Sequence, residues 1–269
     1  MPILDFEALK KTMLAERAVR SGGSCSAVDV SGVAALATMA APSSTPMSAA
    51  PLAHPSAVGC LAHSPWKFKA PTPLPAPVLS TLVYGNEAVS VSHETALLCA
   101  IRGGAPWVEL RARRLQQWTA PLPPFLQSLA DGLVAAGVFP SHAPPNHALI
   151  NGYEPGEGID AHTDGPFYTP LVATISLGDD ALMRFKPRAP NTPHVGELVL
   201  RRRSIVITSG ALYTDFAHEI ERSVDFVAGG KAGLWNAEAA GVVAGECVTR
   251  KDTRISITLR HALPETTAE

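Results

Sequence analysis

This chain of 269 residues has no large net charge, no long apolar run and no paired cysteines. Its formal net charge is -2 at pH 7. That value does not mark a nucleic-acid binder, because phosphate contacts require a concentrated basic surface. No apolar run approaches the roughly 20 residues needed to span a bilayer, so a soluble protein is expected. The four cysteines, Cys25, Cys60, Cys99 and Cys247, are scattered without disulfide or zinc spacing. No charged segment followed by an apolar one opens the chain. A reducing compartment follows as the default, and a cytoplasmic or nuclear protein is expected.

Organisation is uneven along the chain. Residues 1–20 carry Leu4, Phe6, Leu9 and Met13 at helical spacing, which predicts a short amphipathic helix. Asp5 and Glu7 within it argue against a transit peptide. Residues 21–76 are rich in Ala, Ser and Pro and poor in large apolar side chains. Such a segment cannot offset the entropy of ordering, so it is expected to be disordered. Two helices are expected next, over 92–102 and over 124–139, the latter ended by Pro140. Short alternating runs then dominate, at 148–153, 171–177, 183–187, 196–201, 204–208 and 254–260. Helices followed by many strands predict a mainly β domain over 77–264 with flanking helices, and a short tail over 265–269. The stretch from Gly229 to Gly245 reads as an inserted loop, and Arg201-Arg202-Arg203 as a solvated strand entrance.

The chemistry concentrates in three places. His162-Thr163-Asp164 puts an imidazole and a carboxylate two residues apart, so an extended backbone points both to one side. His218 offers a third ligand after a strand end and turn, whereas His54, His63, His142, His147 and His194 lack a partner at ligand spacing and read as loop or surface residues. Two histidines and one carboxylate leave positions open on non-haem Fe(II) for an organic acid and dioxygen, and no cysteine stands near them to close a structural zinc site. The third place is Arg254-Ile255-Ser256-Ile257-Thr258-Leu259-Arg260. Strict alternation over seven residues predicts a half-buried strand with both guanidinium groups on its polar face. Their planar donor forks suit the two carboxylates of a small diacid.

The run from Asn151 through Tyr153, His162, Asp164 and Pro166 resembles the AlkB family of Fe(II) and 2-oxoglutarate dependent dioxygenases, and closely resembles its AlkB homolog 6 subfamily. The likeness continues through Thr174-Ile175-Ser176-Leu177-Gly178, from Tyr213 to His218, and through the arginine strand. It reaches upstream to the basic and aromatic segment Arg113-Arg114-Leu115-Gln116-Gln117-Trp118, and so covers about 77–263. The resemblance implies a double-stranded β-helix, a jelly-roll-like, cupin-type oxygenase fold. It implies His162, Asp164 and His218 as iron ligands, and Asn151, Tyr153, Arg254, Ser256 and Arg260 as contacts of 2-oxoglutarate. No catalytic side chain beyond the metal ligands is implied.

The co-substrates would be 2-oxoglutarate and O2. The reaction would be hydroxylation of a substrate C–H bond or demethylation, with formaldehyde as the product of an N-methyl group. The substrate would be a modified nucleic acid, DNA or RNA, or a protein. Arg113, Arg114, Trp118 and Asp164 are the candidate substrate contacts, since guanidinium charge beside an aromatic face suits an extruded base. Two departures bear on this. Ser256 stands where the bacterial founder of the family has an asparagine. Pro166 stands where DNA-repair members carry an acid, and proline cannot offer that acceptor. A rival reading is a catalytically weak or inactive nucleic-acid-binding module that keeps the oxygenase fold.

Overall fold

The computed structural model describes residues 81–264. The expected helix over 1–20, the segment 21–76 and the tail 265–269 lie outside the described residues, as do the histidines at 54 and 63. Two antiparallel sheets organise the rest. The larger contains β1 (Leu82–Gly85), β2 (Val108–Leu110), β3 (Arg113–Thr119), β4 (His147–Tyr153), β6 (Tyr168–Leu177), β9 (Ile205–Ser209) and β13 (Arg254–Ala262), in the order β1-β9-β6-β13-β4-β3-β2. The smaller contains β5 (Ile159–His162), β7 (Ala181–Pro187), β8 (Gly196–Leu200) and β10 (Phe216–Ile220), in the order β5-β10-β7-β8. A two-stranded ribbon pairs β11 (Asp225–Val227) with β12 (Cys247–Thr249). The two facing sheets form the double-stranded β-helix that the family resemblance implies.

Alternation along the strands divides the buried residues between two layers. On the outer face of the large sheet, Ile150, Ile175, Ile257 and Leu259 are fully buried beneath α1 (Val91–Arg102) and α2 (Pro124–Ala135). Ser90 caps α1 by accepting from the His93 backbone N–H at 3.2 Å. Pro124 occupies the first turn of α2, where its missing N–H costs nothing. Leu126, Leu129 and Leu133 have no exposed surface, and burying each contributes roughly 1.5–3 kcal/mol. Between the sheets, Tyr84 and Val206 from the large sheet meet Met183, Phe185, Leu198 and Ile220 from the small one. This apolar layer fills one end of the sandwich. The other end is lined by polar side chains of β13 and β4.

The expected elements are present, with ends moved by one to four residues. The last expected turn of α2, 136–139, leaves the helix at Ala136. The triple arginine differs more. Arg201 reaches Asp180 at 2.7 Å, Arg202 places Nε 2.8 Å from both oxygens of the buried Glu94, and Arg203 reaches Glu87 at 3.1 Å. Glu94 also accepts from the Gly178 backbone at 2.8 Å, so this segment ties α1 to the turn after β6 rather than standing free in water. The segment from Gly229 to Gly245 is likewise more than a loop. Its backbone pairs with Glu197 at the edge of β8, and it carries α4 (Ala237–Ala240).

Candidate metal and co-substrate site

His162 is the last residue of β5, and it sits directly opposite His218 of β10 in the antiparallel ladder. Pairing makes the two side chains project to the same side. Their ring centroids lie 4.4 Å apart, inclined at 54°. Asp164 follows β5 by two residues, with one carboxylate oxygen 4.0 Å from Nε2 of His218. One donor atom from each residue falls within 4.8 Å of the others. A helical turn, α3 (Gly210–Thr214), precedes β10, so His218 stands within a strand and not in the turn after one.

Protonation in this cluster suits a cation. Nδ1 of His162 lies 2.9 Å from the Asp160 carbonyl. A carbonyl only accepts, so the proton resides on Nδ1 and Nε2 keeps its lone pair. Burial pushes the His162 pKa down to about 3, with His218 adding to the shift. Burial also lowers that of His218. For Asp164 burial acts in the opposite sense, yet Arg260 and the imidazoles together hold its carboxyl below the usual range. Neutral imidazoles beside an ionised carboxylate are the forms that bind a metal.

The arginine strand faces this cluster. Residues Arg254, Ser256, Thr258 and Arg260 of β13 pair in turn with Tyr153, Asn151, Leu149 and His147 of β4, so all share the inner face. Arg260 donates from Nη1 to Oδ1 of Asp164 at 2.7 Å. Arg254 is 1 % exposed and donates from Nη2 to the Ser176 hydroxyl at 2.9 Å. Among the described residues its Nε and Nη1 are buried without a partner, as is Nε of Arg260. Burial brings the Arg254 pKa down to about 10, which still leaves it charged. A buried cation with unmet donors requires an anion. Tyr153 lies beneath Arg254, 5.4 Å from its ring centroid to the guanidinium carbon, and the Asn151 side-chain oxygen accepts from Arg113 Nε at 3.0 Å. This donor set fits a diacid, and the three-residue cluster fits an octahedral ion with open positions.

The candidate substrate contacts separate. Strand alternation sends Arg113 inward with Asn151, while Arg114 and Trp118 project to the helix side. There Arg114 lies over the Trp107 ring at 5.0 Å and reaches Glu154 at 3.3 Å. Trp118 meets Phe125 edge-on at 6.4 Å. The pleat thus places Arg114 and Trp118 on the opposite face of β3 from Arg113. His147 departs from expectation. Expected on a loop or surface, it is 1 % exposed on β4, and burial with Arg260 nearby lowers its pKa to about 3. Its place in a short alternating run was the available signal. His142 is exposed in a turn as expected, whereas His194 is half-buried with Nε2 3.0 Å from Glu219. Sequence reasoning did not single out Ser176, Gln117 or Tyr168 as part of this site.

Residues 86–260 match the 2OG-Fe(II) oxygenase superfamily. The chain belongs to that superfamily, in its AlkB branch. It is 32 % identical over 203 residues to the probable RNA/DNA demethylase ALKBH6 of Danio rerio, covering 67 % of this chain and 85 % of that one. It is 29 % identical over 123 residues to the tRNA (carboxymethyluridine(34)-5-O)-methyltransferase alkbh8 of Xenopus tropicalis, covering 43 % of this chain and 18 % of that one. The structure of OsALKBH1 is similar with a TM-score of 0.46 and 15 % identity, covering 71 % of this chain and 99 % of that one. The protein is thus an Fe(II)- and 2-oxoglutarate-dependent dioxygenase that uses O2. No helix among the described residues is long and apolar enough to cross a membrane.

Proposed function

We propose that this oxygenase removes or hydroxylates an alkyl group on a nucleic acid, with iron on His162, Asp164 and His218 and 2-oxoglutarate on the arginine strand. The observation that carries the reading is Arg254, buried and charged with two unmet donor groups, on the β13 face from which Arg260 reaches Asp164 of the His–Asp–His cluster. The names of the ALKBH6 and alkbh8 relatives favour a nucleic acid over a protein.

Each residue then has a defined task. His162 and His218 present neutral nitrogen lone pairs, and Asp164 an ionised oxygen. Arg254 and Ser176 hold the distal carboxylate, with Tyr153 and Ser256 flanking it. Arg260 keeps Asp164 in place and retains a free Nε for the co-substrate. Arg113 orients Asn151. The bound iron, keto acid and dioxygen supply oxidative decarboxylation to succinate and carbon dioxide, with one oxygen atom inserted into a substrate C–H bond. An N-hydroxymethyl product then breaks down to formaldehyde and the dealkylated base. No side-chain general base is needed for that insertion.

Succinate release with ferrous ion and ascorbate, without and then with methylated oligonucleotides, tests this reading. Wild type is expected to turn over 2-oxoglutarate, to release formaldehyde with a methylated strand, and to lose both activities on His162→Ala. Equal succinate release from the variant would remove the metal assignment. Oligonucleotide binding without any turnover would favour the inactive binding module instead.

A further inference from the structure

Arg260 is held from two sides, and the strand geometry shows how. In the ladder between β6 and β13, Arg260 pairs with Val172 but Ala262 pairs with Tyr168. Two residues on β13 therefore face four on β6, and the extra length forms a bulge through Thr169, Pro170 and Leu171. A bulge bends its strand and re-aims the side chains beside it. Here it brings the Tyr168 ring under the Arg260 guanidinium, 4.2 Å from ring centroid to the central carbon. Tyr168 also meets His147, with centroids 5.1 Å apart, and the phenol oxygen lies 3.5 Å from His147 Nε2. Gln117 fixes that imidazole from β3 at 3.0 Å. A protonated His147 would repel Arg260, and burial keeps it neutral.

The far end of Arg260 explains why this brace matters. Nη1 takes Oδ1 of Asp164 at 2.7 Å, while it is Oδ2 that lies toward Nε2 of His218. One carboxylate oxygen is thus committed to arginine and the other is left for a metal. We propose that Tyr168, delivered by the bulge and backed by His147, is a positioning residue that locks Arg260 on Asp164 and so enforces single-oxygen coordination by that carboxylate. The proposal rests on Asp164 being a metal ligand. It assigns Tyr168 no contact with substrate.

The test uses the full chain with Mn(II) alone as probe, followed by Co(II) and its visible absorption band. Tyr168→Leu removes the aromatic face and is expected to weaken Mn(II) binding about tenfold, in the range typical of groups that orient a ligand. Its Co(II) band should shift as the freed carboxylate turns toward two-oxygen coordination. Tyr168→Phe keeps the ring and should bind Mn(II) within about twofold of wild type, since the ring face supplies the contact with the guanidinium. Tyr168→Met serves as a second aliphatic variant if the leucine protein does not fold, with the same result expected. Wild-type Mn(II) affinity and an unshifted Co(II) band in a folded aliphatic variant would overturn the proposal. So would a phenylalanine variant as weak as the leucine one. His162→Ala is the control for the underlying reading: intact Mn(II) binding there would overturn the ligand assignment itself.

Discussion

Arg254 and His147 show how one buried strand face stores two opposite kinds of electrostatic cost. Arg254 stays charged, with Nε and Nη1 unmet among the described residues, which suits a carboxylate partner. Arg254→Met is expected to raise the KM for 2-oxoglutarate at least about tenfold, the loss of a charge-assisted pair being worth roughly 1.5–3 kcal/mol. Ferrous ion affinity should change little, which separates the two halves of the site in a titration. His147 instead stays neutral, with a folded-state pKa about 3 against a usual 6.5. The unfolded chain then binds more protons than the folded one as pH falls below 6.5, so this residue's contribution is present at neutral pH and is lost on acidification toward 3. Between pH 7.5 and pH 5 it removes about 2 kcal/mol of unfolding free energy. Urea unfolding of the metal-free protein at the two pH values should show that difference shrinking by a similar amount in His147→Leu. An unchanged difference would mean that His147 is not held neutral.

At the scale of elements, the small sheet depends on one missing side chain. Gly196 pairs with Phe185, and Trp235 stacks on Phe185 with centroids 5.3 Å apart. A Cβ at Gly196 would overlap the Trp235 indole. Asn236 beside it exchanges hydrogen bonds with the Val199 backbone at 3.0 and 2.8 Å. Together these seat the 229–245 segment against β8, one strand away from the strand that pairs with β10 and His218. Gly196→Ala is expected to cost about 3 kcal/mol in chemical denaturation, as overpacking does. Trp235→Ala in the same chain should recover part of that loss, because the two changes share one contact. Additive losses would mean that the ring does not rest on the glycine.

The element scale also shows what the sequence could carry. Strict alternation over 254–260 placed both arginines on one face without any partner strand being known, because a period of two is local. The six alternating runs and both helices were legible for the same reason. β3 was read as a basic segment, since its residues alternate in charge and size without an apolar face. Which of its faces meets the pocket depends on its register with β4, a non-local fact, and that register is what turns Arg114 and Trp118 away. The bulge in β6 was hidden likewise. Nothing in Tyr168-Thr169-Pro170-Leu171 states that four residues will oppose two, although a proline inside a strand is often found at such places. His218 could be named as a ligand while its strand was missed, because chemistry marks a histidine and the short run around it has no clear period.

Considered whole, the described part of the molecule turns many of its arginines onto its own carboxylates. Arg114, Arg184, Arg201, Arg202, Arg203 and Arg222 each have a carboxylate within 3.3 Å, and the chain carries a formal net charge of -2. Among the described residues, those arginines are less available to displace counterions from phosphates. An exposed ring lies in the loop just after Asp164. Phe167 is 63 % exposed, three residues after Asp164 and directly before Tyr168. Its loop is pinned by the Tyr213 hydroxyl on the Gly165 carbonyl at 2.6 Å and by the Leu263 N–H on the Phe167 carbonyl at 2.9 Å. Gly165 allows the turn with φ at 86°. Single-strand oligonucleotide binding is therefore expected to rest on stacking more than on phosphate contacts. A plot of log affinity against log salt should have a slope no steeper than about -3, the value for a few neutralised phosphates. Phe167→Ala should lower affinity about tenfold at every salt concentration, as loss of one stacked base does, and leave that slope unchanged. Turnover of 2-oxoglutarate without oligonucleotide should survive in the variant, since the ring lies outside the co-substrate donors. A slope steeper than about -6, with no effect of the variant, would instead place the strand on a basic surface away from this loop.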